Sequence, residues 1–573
     1  MPRPAPLLTS LLATLALAAC QPEGSAPADA GATAPSTSIV DEVHDFQDAI
    51  APEDLARHVQ VLASDEFEGR APGTVGEDKT VEYIKAQFER LGLQPGNNGD
   101  WFQTVPMVET TADESTVLHL TVNGEPQDLA FGDDMVIGTR TGQQEVKVED
   151  SPVVFVGYGV DAPEQDWNDY AGIDVKGKTV VMLVNDPGFH ANDDALFEGK
   201  RMTYYGRWTY KFEEAARKGA AAALVIHDTP GASYGWDVVR NSWSGTQYDL
   251  PASADPAPRL PAQGWISGEA AKALFAAAGQ DLDALRAAAN KRGFKAVPLD
   301  ATVSLDLKST ISETSSRNVI GMLPGSTRPD EAVLYMAHWD HLGKHEPDPA
   351  DPDADTIYNG AVDNATGVAG VLEIAEAFAK QENKPERSVV FLAVTLEESG
   401  LLGSQYYVAH PVIPLDKTVA VFNIDAMSVY GRAHDYTVVG MGSSELEDML
   451  KKVADRQGRV LHEEAHPEAG GYFRSDHFNF AKAGVPALYV DGGEDLLEGG
   501  KAAGDAASRD YNEHRYHAPG DEYDAATWKL DGTVEDLTAL YTIGDELANS
   551  EQWPNWYEGN PFKAKRDEAL ANP

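Results

Sequence analysis

The sequence predicts an α/β protein: a mostly parallel central sheet flanked by helices, with a small α/β unit inserted ahead of it. Three observations carry this. Downstream of Arg317, segments 332–337, 388–396, 418–424 and 485–490 are continuous apolar runs, as expected of parallel strands buried on both faces. Segments with helical apolar spacing alternate with them, at 367–380, 404–410 and 444–457. A second strand–helix–strand series lies upstream, within residues 141–300.

Size and composition agree. A chain of 573 residues is too long for one ordinary core. With 42% hydrophobic and 9% aromatic residues, wholesale disorder is excluded. Asp and Glu number 92 against 45 Lys and Arg, a formal charge of −47. A surface that acidic repels phosphate backbones, so no nucleic-acid partner is expected.

Taken in order, residues 1–19 have the form of a lipoprotein signal peptide. Arg3 is followed by an apolar run, 7–18, too short for an ordinary spanning helix. Leu17-Ala18-Ala19-Cys20 resembles the bacterial lipobox, so Cys20 is expected to carry lipid. Membrane attachment is expected only through that anchor, in the bacterial cell envelope, facing the periplasm or the cell surface. Cys20 is the single cysteine, which excludes internal disulfides and any Cys-based zinc site. Residues 20–38, rich in Ala, Pro, Ser and Gly, read as a flexible tether. Residues 39–140 open the larger domain, with helical spacing at 52–63 and 80–91, a stop at Gly92, and a polar Gly-rich loop at 64–76. Short strands are expected at 116–122 and 153–156. The inserted unit, 141–300, holds buried-strand candidates at 152–159 and 177–184, a helix at 210–218 and a strand at 221–226. Residues 301–550 carry the large sheet, closed by a helix at 534–548, and 551–573 form a polar tail rich in Trp, Pro and Lys.

The acidic and histidine residues fall where the apolar runs stop, which is where ligand sites form in open α/β sheets. The first run ends in Ala337-His338-Trp339-Asp340-His341, the second in Thr395-Leu396-Glu397-Glu398-Ser399-Gly400, the third in Asn423-Ile424-Asp425. Asp363 sits just before the long helix, in Gly360-Ala361-Val362-Asp363-Asn364-Ala365. His517 follows the last run, in Tyr516-His517-Ala518-Pro519-Gly520-Asp521. Imidazoles plus several carboxylates and no thiolate suit a catalytic divalent metal centre, zinc first, with manganese or cobalt as alternatives. Two His and three acids suffice for two ions if one carboxylate bridges them. Such a pair polarises a carbonyl and activates a water. One more carboxylate, off the metal, must take and return the proton, and adjacent Glu397 and Glu398 divide those tasks naturally.

Together, His338-Trp339-Asp340, Asp363-Asn364, Glu397-Glu398-Ser399-Gly400-Leu401-Leu402-Gly403-Ser404, Asn423-Ile424-Asp425 and His517-Ala518-Pro519 resemble the co-catalytic zinc aminopeptidase family, metallopeptidase family twenty-eight. The resemblance covers about 317–548 and implies a zinc exopeptidase-like fold with two zinc ions per chain. It implies His338, Asp363 and Asp425 on one ion and Asp363, Glu398 and His517 on the other, with Asp363 as the bridge. It further implies Glu397 as general base, Asp340 as the residue orienting His338, and Tyr516 as donor to the tetrahedral oxyanion. Arg474-Ser475-Asp476-His477 resembles an element lining the site. The 141–300 unit resembles the protease-associated domain inserted in many members, through Gly157-Tyr158-Gly159, its strand pattern and 215–226. The implied activity is removal of N-terminal residues from peptide substrates. A carboxypeptidase or dipeptidase, using Arg474 for the substrate α-carboxylate, is the alternative within the family, and a non-catalytic binding protein on the same fold the alternative outside it.

His341, His345 and His477 read as neighbours of the site rather than ligands. Arg474 either binds a substrate carboxylate or pairs with Asp476. Asp348, Asp351, Asp353 and Asp355 read as a solvated acidic loop rather than a calcium site. Tyr204, Tyr205, Trp208 and Tyr210 either face substrate or pack among themselves.

Overall fold

The computed structural model describes residues 38–347, 352 and 354–571. The leader, Cys20 and nearly all of the tether lie outside the described residues, as do Asp348, Asp351 and Asp353 of the acidic loop. The chain divides at Glu42–Val43. Before that point the described residues hold one 3-10 turn, Ile39–Asp41, in which Ser38 Oγ accepts from Val40 N. Every other described element belongs to the unit Val43–Pro573.

The larger sheet has four parallel strands at its centre, in the order Arg387–Val394, Arg328–His338, Thr418–Asn423, Ala487–Gly492. Antiparallel strands extend it on both sides. The long strand Val297–Leu323 lies beside Arg387–Val394, with Phe102–Ala112 beyond. Asp435–Val438 lies beside Ala487–Gly492, with Val460–Glu463 parallel to it. The sheet is thus mixed, and parallel where it is most deeply buried.

The apolar runs are continuous because both faces of these strands are covered. On one face Tyr335 stacks on Phe422 at 4.9 Å and packs against Phe378 of the helix Thr366–Ala379. On the other, Leu334, Met336, Leu392 and Val421 meet Tyr407 and Phe480, from the helices Leu402–Ala409 and His477–Lys482. Each such side chain taken fully out of water contributes about 1.5–3 kcal/mol. The helix Thr366–Ala379 is buried along nearly its whole length and is apolar apart from Glu373 and Glu376, which bond to Ala51 N and Arg90. Pro52–Leu62, which packs on it, opens with Pro52 and carries Glu53 and Asp54 in its first turn, where the missing N–H and the helix dipole favour them. Val75–Arg90 is capped by Thr74, whose hydroxyl accepts from Gly76 N, and ends ahead of Gly92 at φ +72°.

From Arg328–His338 the chain passes to Arg387–Val394 on one side and then returns to Thr418–Asn423 on the other. That reversal opens a crevice at the carboxyl ends of the strands, where His338, Glu397 and Asp425 stand.

The inserted unit has its own sheet. Glu145–Phe155, Thr179–Leu183, Ala222–Ile226 and Ala262–Ile266 run parallel, with Met135–Gly138 antiparallel at one edge. At the other edge the first half of Val297–Leu323 pairs with Glu145–Phe155 and with Val117–Val122, which in turn pairs with Glu125–Ala130. The unit therefore begins at Val117 rather than at residue 141. Its first strands are short and carry ordinary turn signals, so nothing in their local pattern says which of two sheets they join. The 27-residue strand belongs to both sheets, entering through the insertion and leaving through the core.

The C-terminal segment is also more than a polar tail. Trp556 is 1% exposed and its indole N–H donates to Gly484 O at 2.9 Å. Arg566, on the helix Lys563–Ala571, is buried and donates to Val419 O and Thr418 O at the start of a central strand. Among the described residues no helix is long and apolar enough to cross a membrane.

One close approach between layers is testable. A Cβ at Gly544, in the helix Asp531–Ala548, would collide with the Tyr335 hydroxyl, which donates to Leu540 O at 2.9 Å. Gly544→Ala should lower stability by about 1–3 kcal/mol through overpacking, despite its better helix propensity. Scanning calorimetry checks this; an unchanged or raised melting temperature would refute the packing.

Candidate metal centre

The elements above deliver acids and imidazoles to one point. His338 is the last residue of the strand Arg328–His338, and its Nε2 lies 3.2 Å from both Asp363 Oδ1 and Asp425 Oδ1. His517 Nε2 lies 3.2 Å from both Asp363 Oδ2 and Glu398 Oε2. The two oxygens of Asp363 thus face two different imidazoles. Glu397 and Asp425 offer ligand atoms within 4.8 Å of His338, and Asp363 and Glu398 do the same with His341. Glu397 thus stands beside the His338 group, and His341 joins His517 beside Asp363 and Glu398. The shared contacts of Asp363 join both groups into a single cluster.

The surrounding chain holds this geometry. Asp521, 1% exposed, accepts from Val362 N at 2.9 Å and from Asp363 N at 3.0 Å, which sets the backbone beneath the bridging carboxylate. Asn364 Oδ1 accepts from Gly367 N and Ala426 N while its Nδ2 donates to Ile424 O, tying the helix start to the strand end that presents Asp425. Ser475 Oγ donates to Asp425 Oδ2 at 2.5 Å. Leu396 before Glu397, Ala426 after Asp425, and His517 itself all have positive φ, at 58°, 51° and 54°. Such backbone persists only where the surroundings over-determine it.

Charge explains what the cluster is for. Burial alone would lower the pKa of His338, but the Asp425, Glu397 and Asp363 carboxylates outweigh it and hold the imidazole well above its usual range. His517 is likewise carried up to about 10 by Asp363 and Glu398 against its own burial. Burial and the nearby Glu398, Asp425 and Asp476 push the Glu397 carboxyl well above the usual carboxylate range, against the pull of His338. Four acids packed out of water demand positive charge. The nearby guanidinium of Arg70 is committed to carbonyl oxygens. Imidazole nitrogens and carboxylate oxygens without thiolate are the donor set of catalytic zinc, so the residues present fit divalent cations.

The remaining expected residues fall as follows. His338 Nδ1 meets the Asp340 carbonyl at 3.1 Å and its carboxylate at 3.8 Å, while Asp340 Oδ1 accepts from Glu397 N. Tyr516 is 47% exposed, its ring stacked on His517 at 3.9 Å, so it is not a core tyrosine. Asp476 accepts from Ser404 Oγ rather than from Arg474, whose Nη2 donates to Ala469 O. His477 is buried between Tyr472 and Tyr489, and His345 is exposed beside Tyr358. Tyr204, Tyr205 and Tyr210 pack on one another, and Tyr204 also meets Phe478 of the core. Trp208 instead lines, with Arg207, Tyr234, Trp243, Trp265 and Arg474, a cavity of about 230 Å³ between insertion and core.

His341 stands as a neighbour of the site, its Nδ1 2.7 Å from Glu398 Oε1. One residue of the centre has no counterpart in the sequence reading. Arg70, within the polar loop 64–76, is 1% exposed and donates to Leu62 O, Trp339 O, Asn359 O and Gly360 O at 2.5–3.0 Å. It thereby clamps the loops on either side of His338 and Asp363. Its Gly-rich setting was the only local signal. Arg70→Met should leave those carbonyls buried without a donor and cost at least about 3 kcal/mol. Urea unfolding of chelator-treated protein measures this, and a loss under about 1 kcal/mol would show that water replaces the guanidinium.

Residues 318–542 match the family described as Peptidase family M28. The chain is 29% identical over 205 residues to the "Glutamate carboxypeptidase 2 homolog" of Caenorhabditis elegans, covering 33% of this chain and 23% of that protein. It is 29% identical over 236 residues to "Leucine aminopeptidase 2" of Arthroderma otae, covering 39% and 43%. The chain thus spans less than half the length of these relatives. Among solved structures, the "Aminopeptidase from Aneurinibacillus sp. strain AM-1" aligns over 88% of this chain and 95% of that one, at 20% identity and a TM-score of 0.46. The crevice that gathers His338, Asp363, Glu397, Glu398, Asp425 and His517 lies within the segment that matches peptidase family M28.

Proposed function

We propose that the protein is a zinc-dependent exopeptidase that removes N-terminal residues from peptides. The observation that carries this reading is Asp363, whose two oxygens each face a separate imidazole nitrogen at 3.2 Å, with the half-buried Glu397 beside them. In this reading His338, Asp363 and Asp425 hold one zinc and Asp363, Glu398 and His517 the other. Bound zinc supplies Lewis-acid polarisation of the scissile carbonyl and a lowered pKa for water. Glu397 takes the proton of the attacking water on its carboxylate and returns it to the leaving amine. Its burial among other acids, which raises its proton affinity, suits a group that must hold a proton between two steps. Tyr516, half-exposed at the mouth and stacked on His517, is the candidate donor to the carbonyl oxygen as it becomes negative. The similarity of the matched segment to a leucine aminopeptidase supports the same reading. Attachment to the bacterial envelope through lipid on Cys20, and descent of the inserted unit from a protease-associated domain, are part of the proposal.

Glu397→Ala should retain zinc near two ions per chain and lose about 10²–10⁴ in turnover, the span of general acid–base catalysis. Metal analysis beside steady-state kinetics on the same sample tests both halves. Turnover near that of the unaltered protein would reject Glu397 as the base, and loss of zinc would reassign it as a ligand.

A second reading, carboxypeptidase or dipeptidase, is favoured by one observation. Arg474 and Arg207 face the same cavity of about 230 Å³, and burial together with Arg474 lowers the pKa of Arg207 to about 10. A peptide carboxylate would relieve that repulsion. Dipeptides blocked at either end decide between the readings. An aminopeptidase cleaves dipeptide amides and refuses amino-acetylated dipeptides. The reverse pattern, with KM for free-carboxylate dipeptides raised about tenfold or more in Arg474→Ala, would establish the second.

A further inference from the structure

We propose that His341 is a positioning residue of the metal centre: its Nδ1–H holds Glu398 Oε1 so that Oε2 is presented, with Asp363 and His517, to a divalent cation. The inference rests on the metal-centre reading above and gives a specific role to a residue that the sequence marks only as a neighbour of the site.

The cluster has two halves built to the same plan. In one, Asp425 turns Oδ1 toward His338 Nε2 at 3.2 Å, and its other oxygen accepts from Ser475 Oγ at 2.5 Å. In the other, Glu398 turns Oε2 toward His517 Nε2 at 3.2 Å, and its other oxygen meets His341 Nδ1 at 2.7 Å. Each carboxylate thus has one oxygen fixed by the protein and one left for the centre. A carboxylate accepts only, so the contact is a hydrogen bond only if Nδ1 carries the proton. A monodentate ligand whose second oxygen is free can rotate about its last torsion; a donor on that oxygen removes the freedom before metal arrives.

The fold treats His341 as part of the apparatus. Its side chain is fully enclosed, at 0% exposure. Its ring lies edge-on to His517 with centroids 5.7 Å apart. Its backbone N–H points to Arg70 O at 3.4 Å, so the residue that clamps both loops also seats this one. Gly360 makes room for the ring: a Cβ there would lie 2.6 Å from His341 Cδ2, and the glycine has a φ of +54°. His341 Nε2 is buried with no partner among the described residues, so the contact with Glu398 is the polar contact that accounts for an imidazole at this position.

The test reads metal affinity, not turnover. Zinc is removed with chelator, and the stoichiometry and affinity of both ions are measured by titration in zinc buffers. An Asn amide nitrogen occupies the place of Nδ1, whereas a Gln amide reaches the place of Nε2. His341→Ala and His341→Gln are expected to weaken one of two ions by about 10–100-fold and leave the other within about threefold. His341→Asn should stay within about threefold of the unaltered protein for both. Ser475→Ala should weaken the opposite ion. Melting temperatures of the zinc-free proteins show whether each variant folds, and the Asn–Gln comparison stands even if the alanine variant does not. Wild-type affinity in His341→Gln, or equal loss in His341→Asn and His341→Gln, overturns the inference. An unaltered protein that binds no zinc overturns the metal-centre reading instead, which keeps the two failures apart.

Discussion

Asp363 is the constraint on which the centre depends. Its carboxylate is buried, and each of its oxygens faces a separate imidazole nitrogen at 3.2 Å. The two halves of the cluster therefore share one side chain and cannot move apart independently. Acids gathered away from water carry a desolvation cost of several kcal/mol each unless every oxygen finds a partner. The local architecture is a set of answers to that cost. Asp521 holds the backbone N–H groups of Val362 and Asp363, Ser475 takes one oxygen of Asp425, and His338 and His517 take the two oxygens of the bridge.

The loops that bear these side chains are irregular because their direction matters more than their regularity. Left-handed conformations at Leu396, Ala426 and His517 sit next to Glu397, next to Asp425 and on an imidazole of the cluster itself. Such backbone is unfavourable by about 1–3 kcal/mol per residue, and the rigid sheet behind it carries that strain. Tyr335, Phe391 and Phe422 on one face and Leu334, Met336 and Leu392 on the other leave the central strands little freedom to shift. Arg70 extends the rigidity outward, since a single guanidinium joins four carbonyls from three separate segments.

The inserted unit is held to the core by more than a linker. The strand Val297–Leu323 runs through both sheets, and residues 309–319 pair with Phe102–Ala112 without a break in register. Tyr204 packs on Phe478 and Phe562, and Arg201 forms an ion pair with Glu463. The cavity lined by Arg207, Trp208 and Arg474 has walls from both parts, so its shape depends on this docking.

Much of the fold was legible in consecutive residues. Strands buried on two faces read as unbroken apolar runs, and the four central strands stand where those runs lie. The strand expected at 116–122 forms as Val117–Val122, but its sheet was not legible, nor were the strands Glu125–Ala130 and Met135–Gly138, because a short strand carries no mark of which sheet it will join. The tail was misjudged for a related reason: Trp556 and Arg566 are buried by partners far away in the chain, not by any periodicity of their own.

The sequence by itself determined the layered α/β architecture and the chemistry of the donors, because burial pattern and ligand type are properties of neighbouring residues. Only the tertiary structure decided which oxygen meets which nitrogen, and that His341 and Arg70 belong to the centre. The first contact spans 57 positions and three of the four carbonyls that Arg70 holds lie 269–290 positions away. Pairings at that separation leave no trace in local spacing; they exist only once the sheet has closed and the loops at its carboxyl edge have been drawn together.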